Sequence, residues 1–359
     1  VTDFSPASYQ RQLDAKLNHL EDLFRDHHLP APEIFTSPPV HYRMRAEFRI
    51  WHQGPESFYA MTPEGGKVPE PIADFPQGSR AMAEVMPRLL AAINGNQELR
   101  RKLYATEFLT TQDGQVLATL IYHKPLAAAW ETQARQVAET LGIGIIGRSK
   151  KQKLTLGDDF VIETLAVGGA NYRYQQVETG FTQPNAAVNE KMLSWARAVS
   201  RDNGGDLLEL YCGNGNFTVV LSENFRRVLA TEVAKISVRS AQYNLALNGV
   251  ANVAIARMSS EEFTQALNRE RAFNRLKDID LDSYDFSTIF VDPPRAGLDP
   301  ATLALASRFE WILYISCNPT TLKDNLAVLT DTHRVEHFAV FDQFPYTRHL
   351  ECGALLRRR

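Results

Sequence analysis

The chain has 359 residues, enough for two domains that each bury a core. Its composition, 44% apolar and 23% charged, is that of a soluble globular protein, and no apolar stretch approaches membrane-spanning length. A net charge of −3 weighs mildly against a nucleic-acid partner, and three cysteines, at 212, 317 and 352, argue against both a disulfide ladder and an iron–sulfur cluster.

Cysteine usage points to the reducing cytoplasm. The first residues, Val1-Thr2-Asp3-Phe4-Ser5-Pro6, have neither the charge nor the apolar centre of a signal peptide, so no leader is expected. Residues 8–29 carry a helical pattern (Leu13, Leu17, Leu20, Leu23, Phe24) that stops before Pro30. After a Pro-rich stretch, His41 to His52 alternates. Tyr42, Met44, Ala46, Phe48 and Ile50 fall on one face; Arg43, Arg45, Glu47, Arg49 and Trp51 fall on the other. Such a polar face suits phosphates and a stacked base, and it equally suits a solvated strand. Residues 104–111 and 115–123 read as a hairpin around Asp113-Gly114, and 153–177 is again β-like. Basic clusters at Arg100-Arg101-Lys102, Arg148–Lys153 and Arg357-Arg358-Arg359 are by themselves compatible with a solvated surface. Residues 1–180 are therefore predicted as an α+β domain rich in antiparallel sheet.

From about residue 206 short apolar strands alternate with helical stretches: 206–210, 227–232, 252–256, 286–291, 311–316, 334–341 and 350–356. This spacing predicts a mostly parallel, doubly wound α/β domain over 181–359. Only nine residues, 341–349, separate the last two strands, too few for a crossover helix, so these should pair antiparallel. A seven-stranded sheet with an antiparallel end resembles the class I methyltransferase (Rossmann-like) fold.

Four motifs fall at the carboxyl ends of these strands. Leu210-Tyr211-Cys212-Gly213-Asn214-Gly215-Asn216 is a glycine-turned loop; Thr218 breaks the G-x-G-x-x-G pattern, which points away from a pyrophosphate ligand. Glu232 ends the second strand, placed to accept from both ribose hydroxyls of a nucleoside. Asp292-Pro293-Pro294-Arg295 follows the fourth strand, with a rigid backbone at the sheet edge. Arg295 stands where amino-methyltransferases of adenine and cytosine carry a stacking aromatic. Ser316-Cys317-Asn318-Pro319 follows the fifth strand, and Asn318 and Pro319 are suited to start a helix. The helix dipole there is expected to lower the Cys317 pKa, although an isolated cysteine at a strand end also reads as a small packing residue.

Together with His349-Leu350-Glu351-Cys352-Gly353 and Phe181-Thr182-Gln183-Pro184-Asn185, these motifs resemble the RNA uracil-C5 methyltransferases over the whole chain. Tyr42–Arg49 is similar to the bacterial tRNA branch of that family; the rRNA branch adds a TRAM domain and a four-cysteine cluster for which this chain has no room. The resemblance implies S-adenosylmethionine as cofactor, with no metal, and puts Gln183, Tyr211, Gly213, Asn216, Glu232 and Asp292 around it. It implies Cys317 as the nucleophile that adds to uracil C6 and Glu351 as the base that removes the C5 proton. It further implies a flipped uridine near Phe181, RNA contacts in the first half at Arg49, Tyr104 and His123, and the T-arm of tRNA as partner, without a membrane or an obligate protein partner. Alternatives are a uridine in rRNA, tmRNA or another structured RNA, and an RNA-folding helper built on the same fold.

Overall fold

The computed structural model describes residues 3–63 and 65–359; Val1 and Thr2, part of the segment read for a leader, lie outside the described residues. The chain divides into two compact units that interleave along the sequence. One comprises residues 1–37, 165–174 and 180–359; the other 38–164 and 175–179. The division differs from a single boundary near 180 because the N-terminal helix and the short strand after it belong with the C-terminal sheet.

The first unit is built on an eight-stranded sheet in the order Glu33–Phe35, His333–Phe341, Glu351–Arg358, Trp311–Ser316, Phe286–Val291, Asp206–Leu210, Val228–Thr231 and Val253–Ala256. All seven expected strands are present, within two residues of their expected ends. The central strands are apolar on both faces, as parallel strands covered by helices on both sides must be. Leu207, Leu208, Leu210, Ile289, Phe290, Val291 and Ile312 to Ile315 are all buried. The last strand, Glu351–Arg358, runs antiparallel to both neighbours, as the short connection requires. The eighth strand, only three residues long, lies within the stretch read as a Pro-rich connector; it pairs parallel with His333–Phe341 and stacks Phe35 on Phe341. The first helix is Pro6–Leu23, shorter than the 8–29 expected, capped by Ser5 and started by Pro6. It buries Leu13 and Leu20, and also Lys16, which the periodicity did not single out.

Gly353 sits where the last strand passes Trp195 of the helix Ala186–Val199; a Cβ there would stand 2.5 Å from the indole ring. Gly353→Ala is therefore expected to lower stability by about 1–3 kcal/mol through overpacking. A fall in the denaturant midpoint with an unchanged m-value checks it.

The second unit is a seven-stranded sheet in the order Glu70–Pro71, Glu56–Met61, Arg45–Gln53, Leu103–Thr110, Val116–Tyr122, Gly144–Ser149 and Gln152–Leu156. It is antiparallel except where Val116–Tyr122 meets Gly144–Ser149, the crossover being the helix Ala128–Leu141. The alternation read over His41–His52 is present: Tyr42, Met44, Ala46, Phe48 and Ile50 are all buried. Phe48 packs edge-on against Phe75 and Phe108, and Tyr59 lies beside it. The strand Gly144–Ser149 was not predicted; two glycines in six residues hide its apolar pair, Ile145 and Ile146.

Candidate active site

The site lies at the carboxyl edge of the first unit's sheet, and backbone register assembles its centre. Ser316 pairs with Cys352 as the last step of an antiparallel ladder; Cys317 follows Ser316 in a bend and Glu351 immediately precedes Cys352, so both fall at the same end of that ladder. On the other side, Val291 is the parallel partner of Tyr314, which brings Asp292 to the same edge. The turn after Cys317 is fixed by its own polar groups. Asn318 caps the helix Pro319–Leu329 by accepting from the Thr320 N–H, as the sequence predicts. Its side-chain amide and the Thr321 hydroxyl both donate to the Arg295 carbonyl, at 3.0 and 3.1 Å. These two bonds tie the Asp-Pro-Pro-Arg turn to the cysteine turn.

Electrostatics confirms the juxtaposition and corrects one expectation. Cys317 is partly buried, and its thiol is pushed up to about 11. Burial is the largest cause, followed by the charges of Glu351 and Asp292; Arg295 offsets only part. The expected lowering by the helix dipole is thus outweighed, and without ligands the sulfur carries its proton at neutral pH. Glu351 is buried and pushed up to about 8 by desolvation, with Asp292 adding to the rise and Arg295 opposing it. Loss of water raises Asp292 to about 7.

Beside this centre the glycine loop takes an unusual path. Tyr211 has φ 62°, a left-handed conformation costly for a residue with a Cβ, and its hydroxyl donates to Ser260 at 2.9 Å. Gly215, at φ 82°, caps the helix Asn216–Leu221, a geometry suited to glycine. The Glu232 carboxylate accepts from the Gly213 N–H at 3.0 Å and the Ala234 N–H at 2.7 Å, joining the first and second strand ends. Asn216 and Asn189 exchange a reciprocal amide pair at 2.8 and 2.9 Å.

Most of the residues read from the sequence are thereby connected. Cys317, Glu351 and Asp292 form one electrostatic group; Tyr211, Gly213, Asn216 and Glu232 form one loop system. Gln183 lies in the turn before the helix Ala186–Val199, and its buried Oε1 has no hydrogen-bond partner among the described residues. Phe181 is 75% exposed. In the second unit, Arg49, Tyr104 and His123 form a cluster of their own: the Arg49 guanidinium lies 3.6 Å from the Tyr104 ring centre, and the His123 ring lies 4.2 Å from the same ring. Arg43 and Arg45, on the same strand face, are instead half-buried and bonded to backbone carbonyls.

Sequence reading missed four residues here. Glu209 is fully enclosed in the first strand, its Oε2 has no hydrogen-bond partner, and burial with the nearby Asp292 charge raises it to about 8. An acid within Leu207-Leu208-Glu209-Leu210 was the available signal. Asn189 had no signal beyond its place in the helix after Pro184. Lys16 and His19 of the N-terminal helix line the same cleft as Cys317, some 300 residues distant in sequence. Among the described residues no group of three His, Cys, Asp or Glu side chains is arranged to hold a metal ion, and no helix is long and apolar enough to cross a membrane.

Comparison with known proteins agrees with this geometry. A profile of the family described as tRNA (Uracil-5-)-methyltransferase matches residues 8–359. The tRNA/tmRNA (uracil-C(5))-methyltransferase of Cellvibrio japonicus is 58% identical over 359 residues, covering 100% of this chain and 98% of that protein. The protein of the same name from Aeromonas salmonicida is 54% identical, covering 99% and 96%. Among solved structures, a Pyrococcus abyssi tRNA (uracil-54, C5)-methyltransferase in complex with S-adenosyl-L-homocysteine superposes with a TM-score of 0.72, at 20% identity, covering 97% of this chain and 83% of that one. The sheet order is accordingly that of a class I methyltransferase. With a match that runs almost from end to end and relatives above half identity, the chain belongs to the tRNA (uracil-5-)-methyltransferase family, whose methyl donor is S-adenosylmethionine.

Proposed function

We propose that this chain methylates C5 of a flipped uridine in the T-loop of tRNA, in the cytoplasm, through a covalent bond between Cys317 and C6. The observation that carries this reading is that Cys317 directly follows, and Glu351 directly precedes, the paired residues Ser316 and Cys352 at the end of one ladder, with the charges of Glu351 and Asp292 acting on the thiol.

The residues present fit S-adenosylmethionine. Glu232 uses two of a carboxylate's roughly four acceptor positions on backbone N–H groups, leaving acceptors for the two ribose hydroxyls. A Cβ at Gly213 would meet no atom within 4 Å, so the loop backbone is open to close approach. Gln183 offers an unpartnered acceptor, and Tyr211 and Asn216 frame the loop. Asp292 and Glu209, both raised first by desolvation, suit a positively charged ligand. When bound, the cofactor supplies an electrophilic methyl group on a cationic sulfur.

The chain's own residues then have defined tasks. Cys317 gives up its proton to solvent and its sulfur adds to C6 of the uracil, breaking the C5–C6 double bond, pushing the ring electrons towards O4 and making C5 nucleophilic. After C5 has gained the methyl group, Glu351 removes the remaining C5 proton, the double bond re-forms, and the thiolate leaves. In the second unit, Arg49, Tyr104 and His123 supply a ring platform with a cation above it, the arrangement that stacks unpaired bases. Exposed Phe181 is the corresponding aromatic of the first unit, assigned to the target base.

The relatives are named for both tRNA and tmRNA, so location of the product decides the substrate. Unmodified bulk tRNA incubated with the chain and methyl-labelled cofactor is expected to yield 5-methyluridine at one T-loop position. Label at another position, or in matched rRNA fragments alone, would overturn the T-loop assignment.

A further inference from the structure

A cleft of about 360 Å³ opens beside Cys317. It lies at the small end of ligand pockets, which span about 300–1,000 Å³, and suits one nucleotide-sized group. Its cationic side chains come from three separate stretches of the first unit: Lys16 on the N-terminal helix, Arg295 after the Asp-Pro-Pro turn, and Arg348 before the last strand, with His19 and His349 beside them.

Lys16 is accounted for inside the protein. It is buried, its Nζ lies 2.6 Å from an Asp342 carboxylate oxygen, and it donates to the Phe344 carbonyl at 2.8 Å. Arg295 and Arg348 are different. Both are exposed, and among the described residues neither guanidinium has a carboxylate within ion-pair distance. Some charges elsewhere are matched, as Arg226 and Arg227 are on Asp206 and Arg148 and Lys153 on Glu178, and other exposed arginines such as Arg88 and Arg257 are not, among the described residues; Arg295 and Arg348 are set apart by lining the cleft beside Cys317. The two unmatched arginines act on a common locus. His349 is lowered first by burial and then by Arg295, Arg348 and Lys16. An acidic chain of net charge −3 thus leaves two free guanidinium groups at the mouth of its reactive cleft.

We infer that Arg295 and Arg348 are a clamp for the phosphodiester groups immediately flanking the flipped uridine. The clamp rests on the RNA reading above. A uracil that reaches Cys317 leaves its own phosphates at the cleft mouth, where the planar guanidinium fork matches their oxygens. Such contacts fix position and carry no base information, so the clamp holds the flipped nucleotide and leaves recognition of the RNA to other residues.

The test combines full-length Arg348→Gln with T-arm RNA carrying one neutral methylphosphonate next to the target uridine. Arg348→Gln is expected to weaken RNA binding about tenfold and to reduce the salt slope of log affinity by about one. For the unsubstituted chain, one of the two flanking methylphosphonates should cause a similar loss, and its combination with Arg348→Gln should cost little more. Arg348→Lys should recover most of the salt slope; if Arg348→Gln loses cofactor binding through misfolding, the same non-additivity is read with Arg348→Lys. Losses that multiply, or an unchanged slope in a variant that still binds RNA, would overturn the clamp and leave the RNA reading standing. An unsubstituted chain that binds no T-arm RNA would overturn that reading as well, and Arg348 would not enter the result.

Discussion

Cys317→Ala is expected to reduce methyl transfer by at least about 10⁴-fold, because covalent activation at C6 has no substitute in the site. The variant should also fail to form the denaturant-stable adduct that the unsubstituted chain forms with T-arm RNA containing 5-fluorouridine, whose C5 fluorine blocks the final proton removal. Cofactor affinity should stay within about twofold, since the bonds from Gly213 and Ala234 to Glu232 do not involve Cys317. Gel analysis of the adduct decides the matter: a fluorouridine complex of normal yield in Cys317→Ala would remove Cys317 as nucleophile. Cys212 and Cys352 offer no replacement. Both are buried, and burial is the first cause holding each thiol above its ordinary range.

Glu351→Gln separates the two halves of the reaction. Glutamine keeps the shape but cannot take a proton, so methylation of the bound uridine should proceed once while release slows by about 10²–10⁴-fold. Methylated RNA covalently attached to the protein should then accumulate with ordinary, unfluorinated substrate. Rapid multiple turnover by this variant would sink the assignment. The pH dependence follows the same logic. Glu351, raised to about 8 by burial, must be ionised to act as a base after methyl transfer, so kcat should climb from pH 6.5 to 9. Asp292, raised to about 7 by desolvation, and Cys317, raised to about 11 by burial and the nearby acids, push the profile in the same direction. Because these groups feel one another, the measured midpoints belong to the group. Loss of the limb near pH 8 in Glu351→Gln identifies the carboxyl's share.

The fold was legible where the hydrophobic period was clean. The strands at 206–210, 286–291 and 311–316 are short, mainly apolar runs, and the short 341–349 connection dictated an antiparallel last pair. The candidate site was legible where chemistry is carried by rare local patterns, as in Asp292-Pro293-Pro294-Arg295 and Ser316-Cys317-Asn318-Pro319. What escaped reading is long-range. No local pattern at Glu33–Phe35 says that three residues will complete the edge of a sheet finished 300 residues later. Nor does the helical stripe of Pro6–Leu23 announce that Lys16 will be buried against Asp342. The sign of the Cys317 shift was also out of reach. A helix terminus is visible in sequence, whereas the burial of the sulfur, and after it two carboxyl groups arriving from other strands, are not.

The ladder between Trp311–Ser316 and Glu351–Arg358 has one more consequence. Side chains alternate faces along a strand, so sliding one partner by a single residue would carry Glu351 to the opposite side of the sheet. The separation of acid and thiol is therefore inherited from main-chain bonds at the centre of the fold, and a flexible loop has little part in setting it. Amide protons of these two strands should be among the slowest to exchange, and Cys317 and Glu351 should stay aligned while peripheral segments open and close. Heat inactivation by loss of alignment then coincides with melting of the sheet itself.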